Sequence, residues 1–152
     1  MIGEIRDKET AEIAIQSALT GHLVLSTLHT NDAPSALTRL VDMGIEPYLL
    51  SSSIIAVLAQ RLVRLICKNC KIAYTPTDQE LLELGIARKS LQDGNLFKGE
   101  GCKACFGSGY KGRHGIYELM SVSQEIKTQL LKIADATILQ KIAIKNGMTS
   151  LR

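Results

Sequence analysis

The feature that most constrains this chain is a matched pair of C-x-x-C units, Cys67-Lys-Asn-Cys70 and Cys102-Lys-Ala-Cys105. They hold all four cysteines of the protein. Four thiolates converging on one point form the tetrahedral set that a structural zinc ion takes, so Cys67, Cys70, Cys102 and Cys105 are the expected metal ligands. The 31 residues between them, 71–101, exceed the usual zinc-ribbon spacing, so a small excursion must fold between the knuckles. Full thiolate ligation leaves no open position for water, which makes the expected Zn²⁺ structural rather than catalytic. Lys68, Lys71 and Lys103 flank the ligands and offset the negative charge of such a centre. Glycines after Cys105 leave room for backbone N–H groups to approach the sulfurs.

Two disulfides are the competing use of four cysteines, and the expected compartment argues against them. Ile2-Gly-Glu-Ile-Arg-Asp-Lys8 has no apolar h-region, so no secretory signal opens the chain. The uncharged stretch Pro47 to Gln60 contains three serines and is too short to cross a bilayer, and no membrane span is expected. A cytoplasmic protein keeps its thiols reduced. A net charge of +3, with basic residues scattered rather than blocked, argues against a nucleic-acid partner. Both ends read as cut: Met1-Ile2 starts at once in a strand-like run, and Ser150-Leu-Arg152 carries no terminal signal. The chain is expected to be a piece of a larger protein.

Along the chain, Asp7 is suited to cap a helix carrying Ile13, Ala14, Ala18 and Leu19, with Gly21 as its stop. The apolar run His22-Leu-Val-Leu-Ser-Thr-Leu28 reads as a buried strand, so Glu4 to Leu28 forms a βαβ crossover. Asn31 or Asp32 caps a second helix with Pro34 in its first turn, an apolar stripe of Leu37, Leu40 and Val41, and Gly44 at its end. Ile54, Leu58, Leu62 and Leu65 recur at three and four residues, which predicts a third helix from Tyr48 to Leu65. In the excursion, Thr77-Asp-Gln-Glu80 is a capping box opening a helix through Leu84, and Leu96-Phe97-Lys98 reads as a short strand. Gly115 to Met120 reads as another strand. Ser123 and Asp135 cap two tail helices, and Asn146-Gly147 ends the second. The expected layout is an α/β piece (1–66), a tetracysteine module (67–120) and a helical tail (121–152).

Strands joined by a right-handed crossover run parallel, and open α/β sheets bind ligands beyond the strands' C-terminal ends. Glu4 and Arg6 leave the first strand there, and Thr27, His29 and Thr30 leave the second. An acid, a cation and an imidazole beside hydroxyls suit phosphoryl transfer: Glu4 can orient or deprotonate a water, and His29 can donate to a phosphate oxygen. The competing reading is that these are satisfied loop residues. His22, at the strand's start, is expected to be structural.

These residues also carry a resemblance. Gly3-Glu-Ile-Arg-Asp-Lys-Glu-Thr-Ala11 resembles the end of the Walker B motif of secretion ATPases, and Thr20-Gly-His-Leu-Val-Leu-Ser-Thr-Leu-His-Thr-Asn31 resembles their His box. Ala59-Gln-Arg-Leu-Val-Arg64, the two knuckles and Gly109-Tyr-Lys-Gly-Arg-His-Gly-Ile-Tyr-Glu118 match the same family, the motor ATPases of type II secretion and type IV pilus assembly. The resemblance covers essentially the whole chain. It implies the C-terminal part of a RecA-like P-loop NTPase core, with a parallel sheet, followed by the zinc module and a helical tail. It implies ATP and Mg²⁺ as cofactors of the full-length protein, Glu4 as the Walker B glutamate and His29 near the γ-phosphate. Arg6 matches a motif position without an assigned contact, and Thr27 joins it as a cofactor-binding candidate. It further implies a homo-hexamer at the cytoplasmic face of the inner membrane, working on platform and adaptor proteins. The paired cysteines favour the secretion and pilus-extension branches over retraction, and type II secretion is the expected branch.

The sequence departs from the family's full motif set, because it contains no G-x-x-x-x-G-K-[ST] loop to cradle phosphates. The family's Asp box and its arginine-bearing N-terminal lobe are expected upstream. These 152 residues by themselves are therefore expected to be inactive as an ATPase. Two binding-module readings compete with the motor: a zinc-ribbon nucleic-acid binder, which lacks a basic stripe and leaves the His box unexplained, and a chaperone-like zinc module. The second rests on Cys102-Lys-Ala-Cys-Phe-Gly-Ser-Gly109, a unit that such chaperones repeat and this chain holds once.

Overall fold

The computed structural model describes residues 1–151, apart from the side chain of Gln92. The chain forms two compact units, Met1–Arg61 with the residues from Ile116 onward, and Leu62–Gly115.

In the first unit, local chemistry sets each helix boundary. Asp7 accepts from Thr10 N–H (2.8 Å) to start α1 (Lys8–Leu19), and Gly21, at φ +92°, lets the chain leave in a left-handed conformation. Asp32 accepts from Ser35 N–H (2.8 Å) to start α2 (Ala33–Asp42), with Pro34 in the first turn. Pro47 opens α3 (Pro47–Ser53). Ser123 and Asp135 cap α5 (Gln124–Lys132) and α6 (Ala136–Lys145). Helices α1 and α5 both pack on α3, while α6 packs on α2 and α5. Leu37, Leu50, Met120, Ile126, Leu130 and Leu139 lose essentially all exposure in the core between them. Burying each such side chain contributes roughly 1.5–3 kcal/mol. On α1 the buried face is Ala11, Ala14 and Ile15, and the expected Ile13 and Leu19 remain largely exposed.

Two expectations are corrected here. The helix predicted from Tyr48 to Leu65 ends at Ser53; the chain turns extended at Ile54 and continues as β1 (Ala56–Ile66). Ile54, Leu58 and Leu62 are spaced by four, which keeps them on one face of a strand as well as of a helix. Leu58, Leu62 and Leu65 are all substantially exposed, which a buried helical stripe would not be. The second correction concerns the parallel sheet. Ile2 N–H donates to the Leu25 carbonyl and Ile5 N–H to the Thr27 carbonyl, both at 2.9 Å, so the two segments flanking α1 do run side by side in one direction. One side advances three residues while the other advances two, a bulge that interrupts the ladder. No regular parallel pair forms among the described residues; the two sheets are small antiparallel pairs, β1 with β4 (Tyr110–Ser121) and a second described below.

Hydrogen bonds at both ends frame the β1–β4 pair, Val122 N–H to the Ile55 carbonyl and Cys67 N–H to the Gly109 carbonyl, each 2.9 Å. The second unit is built on β2 (Lys71–Tyr74) paired antiparallel with β3 (Leu96–Gly99), in the register Lys71 opposite Gly99 and Tyr74 opposite Leu96. Diagonal pairs brace this ladder: Lys71 lies over the Phe97 ring (3.8 Å) and Lys98 over the Tyr74 ring (5.2 Å). Strand β2 has no counterpart in the sequence reading. Between the strands, the Thr77–Glu80 capping box starts α4 (Asp78–Leu84), with both reciprocal bonds present. Among the described residues of this unit the buried side chains are Cys67, Pro76, Leu81 and Cys105. That is too little apolar burial to hold 54 residues together.

Candidate functional site

The two knuckles converge. Each is a tight turn closed by a backbone bond from its second cysteine to the carbonyl of its first, Cys70 to Cys67 (3.3 Å) and Cys105 to Cys102 (3.2 Å). The sulfurs of Cys67 and Cys102 lie 3.9 Å apart, those of Cys70 and Cys105 3.9 Å, and those of Cys102 and Cys105 3.7 Å. All four lie within 4.8 Å of one another and none is in a disulfide. A tetrahedral Zn²⁺ with Zn–S bonds of about 2.3 Å separates its sulfurs by about 3.8 Å. The cluster therefore fits a tetrathiolate metal ion and does not fit paired disulfides.

Its electrostatics point the same way. The Cys105 thiol is pulled down to about 6, foremost by the Cys102 backbone N–H, which donates to its sulfur (3.2 Å), and then by the Gly109 N–H. Cys70 is pushed up to about 12, foremost by loss of solvent and then by the three neighbouring sulfurs, against the pull of the Gly101 N–H. A divalent cation at the centre favours the thiolate form of every ligand. Room for these N–H groups comes from backbone meeting backbone. A Cβ on Gly99 would lie 2.0 Å from the Gly109 carbonyl oxygen, and one on Gly109 would lie 2.5 Å from the Gly99 oxygen.

A second constellation lies in the first unit. Glu4 Oε2 pairs with Arg6 Nε at 2.6 Å, and Glu4 Oε1 faces His29 Nε2. That Oε1 is closed to solvent, and the His29 ring is its partner. Arg6 and His29 are themselves mostly exposed, at 76% and 86%. The structure thus gathers an acid, a cation and an imidazole on adjacent parallel segments. Thr27 turns its hydroxyl to the Gly3 carbonyl (2.8 Å), and His22 stays beside Thr20 at the far end of its segment. Sequence reasoning gave no role to Glu118 or Arg61, although both contact the chain just after His29. Glu118 was visible only as a member of a motif, and its contact spans 85 residues.

The protein is thus a mixed α/β chain with a four-cysteine cluster, and its fold is shared with two solved structures. The X-ray structure of the Legionella pneumophila ATPase DotB matches with a TM-score of 0.58 at 21% identity, covering 97% of this chain and 31% of that one. The crystal structure of the pilus retraction motor PilT with bound ADP matches with a TM-score of 0.51 at 24% identity, covering 98% and 36%. A sequence model of the type II/IV secretion system proteins matches residues 1–152, and the chain belongs to that family. The type IV pilus assembly ATPase PilB of Thermus thermophilus is 50% identical over 152 residues, all of this chain and 17% of that protein. The type II secretion system protein E of Pseudomonas aeruginosa is 56% identical over 128 residues, 84% of this chain and 25% of that protein. The chain therefore spans a quarter or less of these two relatives. Among the described residues no helix is long and apolar enough to cross a membrane.

Proposed function

We propose that this chain is the C-terminal part of a cytoplasmic motor ATPase that hydrolyses ATP to drive export through type II secretion, with pilus extension as the alternative branch. The observation that carries the reading is Glu4, a carboxylate mostly shielded from water that pairs with His29 through Oε1 and with Arg6 through Oε2. Pairing with a cation and an imidazole holds the carboxylate in one orientation at the edge where the two segments end. Glu4 orients or deprotonates the attacking water, and His29 donates to a phosphate oxygen. Arg6 and Thr27 complete the phosphate surroundings. Magnesium, when bound with ATP, supplies charge that neutralises the transferring phosphoryl group. The four cysteines hold Zn²⁺ as a structural centre. In this reading the full-length protein is a homo-hexamer, peripheral to the inner membrane through platform and adaptor proteins. The relatives' names divide between the two machines, while the paired cysteines favour both over retraction. A zinc-binding module without catalysis would leave the Glu4–Arg6–His29 cluster unexplained.

The test is Glu4→Gln in the full-length protein. The substitution keeps shape and volume but removes the base, so kcat for ATP is expected to fall on the order of 10²–10⁴-fold. A rate within twofold of wild type would sink the assignment. The isolated 152 residues, whose sequence has no phosphate-cradling loop, are expected to bind ATP more weakly than micromolar. Calorimetry showing a micromolar Kd for them would refute that expectation.

A further inference from the structure

The segment from His29 to Asp32 leads into α2, and two side chains remote in sequence hold it. Glu118, on β4, is 1% exposed and is the one buried charged residue among those described. Its Oε1 accepts from Ala33 N–H (2.8 Å) and its Oε2 from Leu151 N–H (3.1 Å). Ala33 is the first residue of α2, so the carboxylate sits where the helix's free N–H groups and positive dipole end favour an anion. Both oxygens are satisfied, which is the condition for keeping such a charge inside a protein. From the surface, Arg61 Nη2 donates to the Asn31 carbonyl (2.9 Å) and to Asn31 Oδ1 (3.0 Å). Asn31 lies two residues from His29, and Ala33 four.

We propose that Glu118 and Arg61 are positioning residues for His29, fixing residues 31–33 so that the imidazole stands against Glu4. Neither touches the Glu4 cluster itself. The inference rests on the ATP-hydrolysis reading above, since it assigns them to that reaction. Glu118 anchors the segment from inside and Arg61 from outside, and either anchor alone leaves one side of the turn free to swing. A misplacement of about 1 Å can cost on the order of 10²-fold in rate, so a small swing is enough to matter.

The full-length protein provides the test. Glu118→Gln keeps the volume but turns an NH₂ toward one of the two N–H donors it now serves. Arg61→Ala, at an exposed position, removes the outer anchor without threatening the core. Both are expected to lower kcat for ATP about tenfold or more with KM changed less than threefold, and Arg61→Lys is expected to restore part of the loss. Hydrogen–deuterium exchange should rise in peptides covering residues 29–33 and stay unchanged over residues 124–145. Unchanged kcat in both variants, or exchange rising evenly through the first unit, overturns the proposal, because the residues would then be simply structural. A wild-type protein that hydrolyses no ATP overturns the ATPase reading and this proposal with it; that failure shows before any substitution is made.

Discussion

Stripping the metal is expected to unfold residues 62–115 while leaving the helices of the first unit folded. Among the described residues of the second unit the buried side chains are Cys67, Pro76, Leu81 and Cys105, and two of those four belong to the cysteine cluster. A domain of that size rarely draws more than about 3–5 kcal/mol from its apolar core, and this one has hardly any core. Structural zinc contributes on the order of 10–16 kcal/mol of apparent binding energy at neutral pH, which becomes folding energy when the site exists only in the folded chain. The first unit keeps its own core of Leu37, Leu50, Met120, Ile126, Leu130 and Leu139. Protein made under zinc-replete, reducing conditions should carry one zinc per chain. Exchange measured before and after a strong chelator should show protection lost across α4, β2 and β3 and retained across α2, α5 and α6. Cys105→Ser should reproduce the chelated pattern without chelator. Metal analysis that finds no zinc, or a second unit that stays protected after chelation, refutes the tetrathiolate assignment.

Gly99→Ala is expected to reach the same centre by a different route. The new methyl would stand 2.0 Å from the Gly109 carbonyl oxygen, well inside contact distance, and both parties are backbone, so no rotamer change relieves the clash. Gly109 must move. Its carbonyl accepts from Cys67 N–H (2.9 Å) and its own N–H holds the Cys105 sulfur, so the displacement passes to one ligand in each knuckle. Overpacking of this kind costs about 1–3 kcal/mol or more, and disturbing groups that orient ligands costs about 10–100-fold in metal affinity. A zinc competition titration on the purified variant measures it directly. Wild-type affinity in Gly99→Ala would mean that the close approach of the two backbones is dispensable.

What the sequence revealed was local. Asp7, Thr77, Ser123 and Asp135 each cap the helix expected of them, and of the two candidates Asn31 and Asp32 it is Asp32 that caps α2, because a capping side chain and its target N–H lie within three residues. The metal cluster was legible because spacing within a knuckle is local and four cysteines leave one way to meet at a single ion. The third helix was misread because a repeat of four satisfies both periods, and Ile54, Leu58 and Leu62 carry no information that separates them. Val57 and Val63, with Ile55 and Ile66, were the β-branched signal available in that stretch. Three contacts had no sequence signature at all: Glu118 with Ala33, Arg61 with Asn31, and Gly99 against Gly109. Each depends on where distant segments come to lie, and an isolated glutamate, arginine or glycine looks the same whether or not such a meeting occurs. The direction of the two segments puts Glu4 and His29 at one edge, and that direction holds even though their hydrogen bonding is too irregular to make a sheet; the pairing of the two side chains was not foreseen.

The sulfur contact between Cys67 and Cys102 has an engineering consequence. It marks where residues 71–101 are joined at their root, so lengthening the exposed part of that excursion costs chiefly closure entropy, about 0.6 kcal/mol for each doubling of a flexible loop. The exposed stretch around Lys89 is thus a natural port for a fluorophore or an inserted peptide. The backbone from Gly99 to Gly109 tolerates nothing of the kind. Freedom and prohibition sit within about ten residues of each other, divided by where the chain returns to the metal.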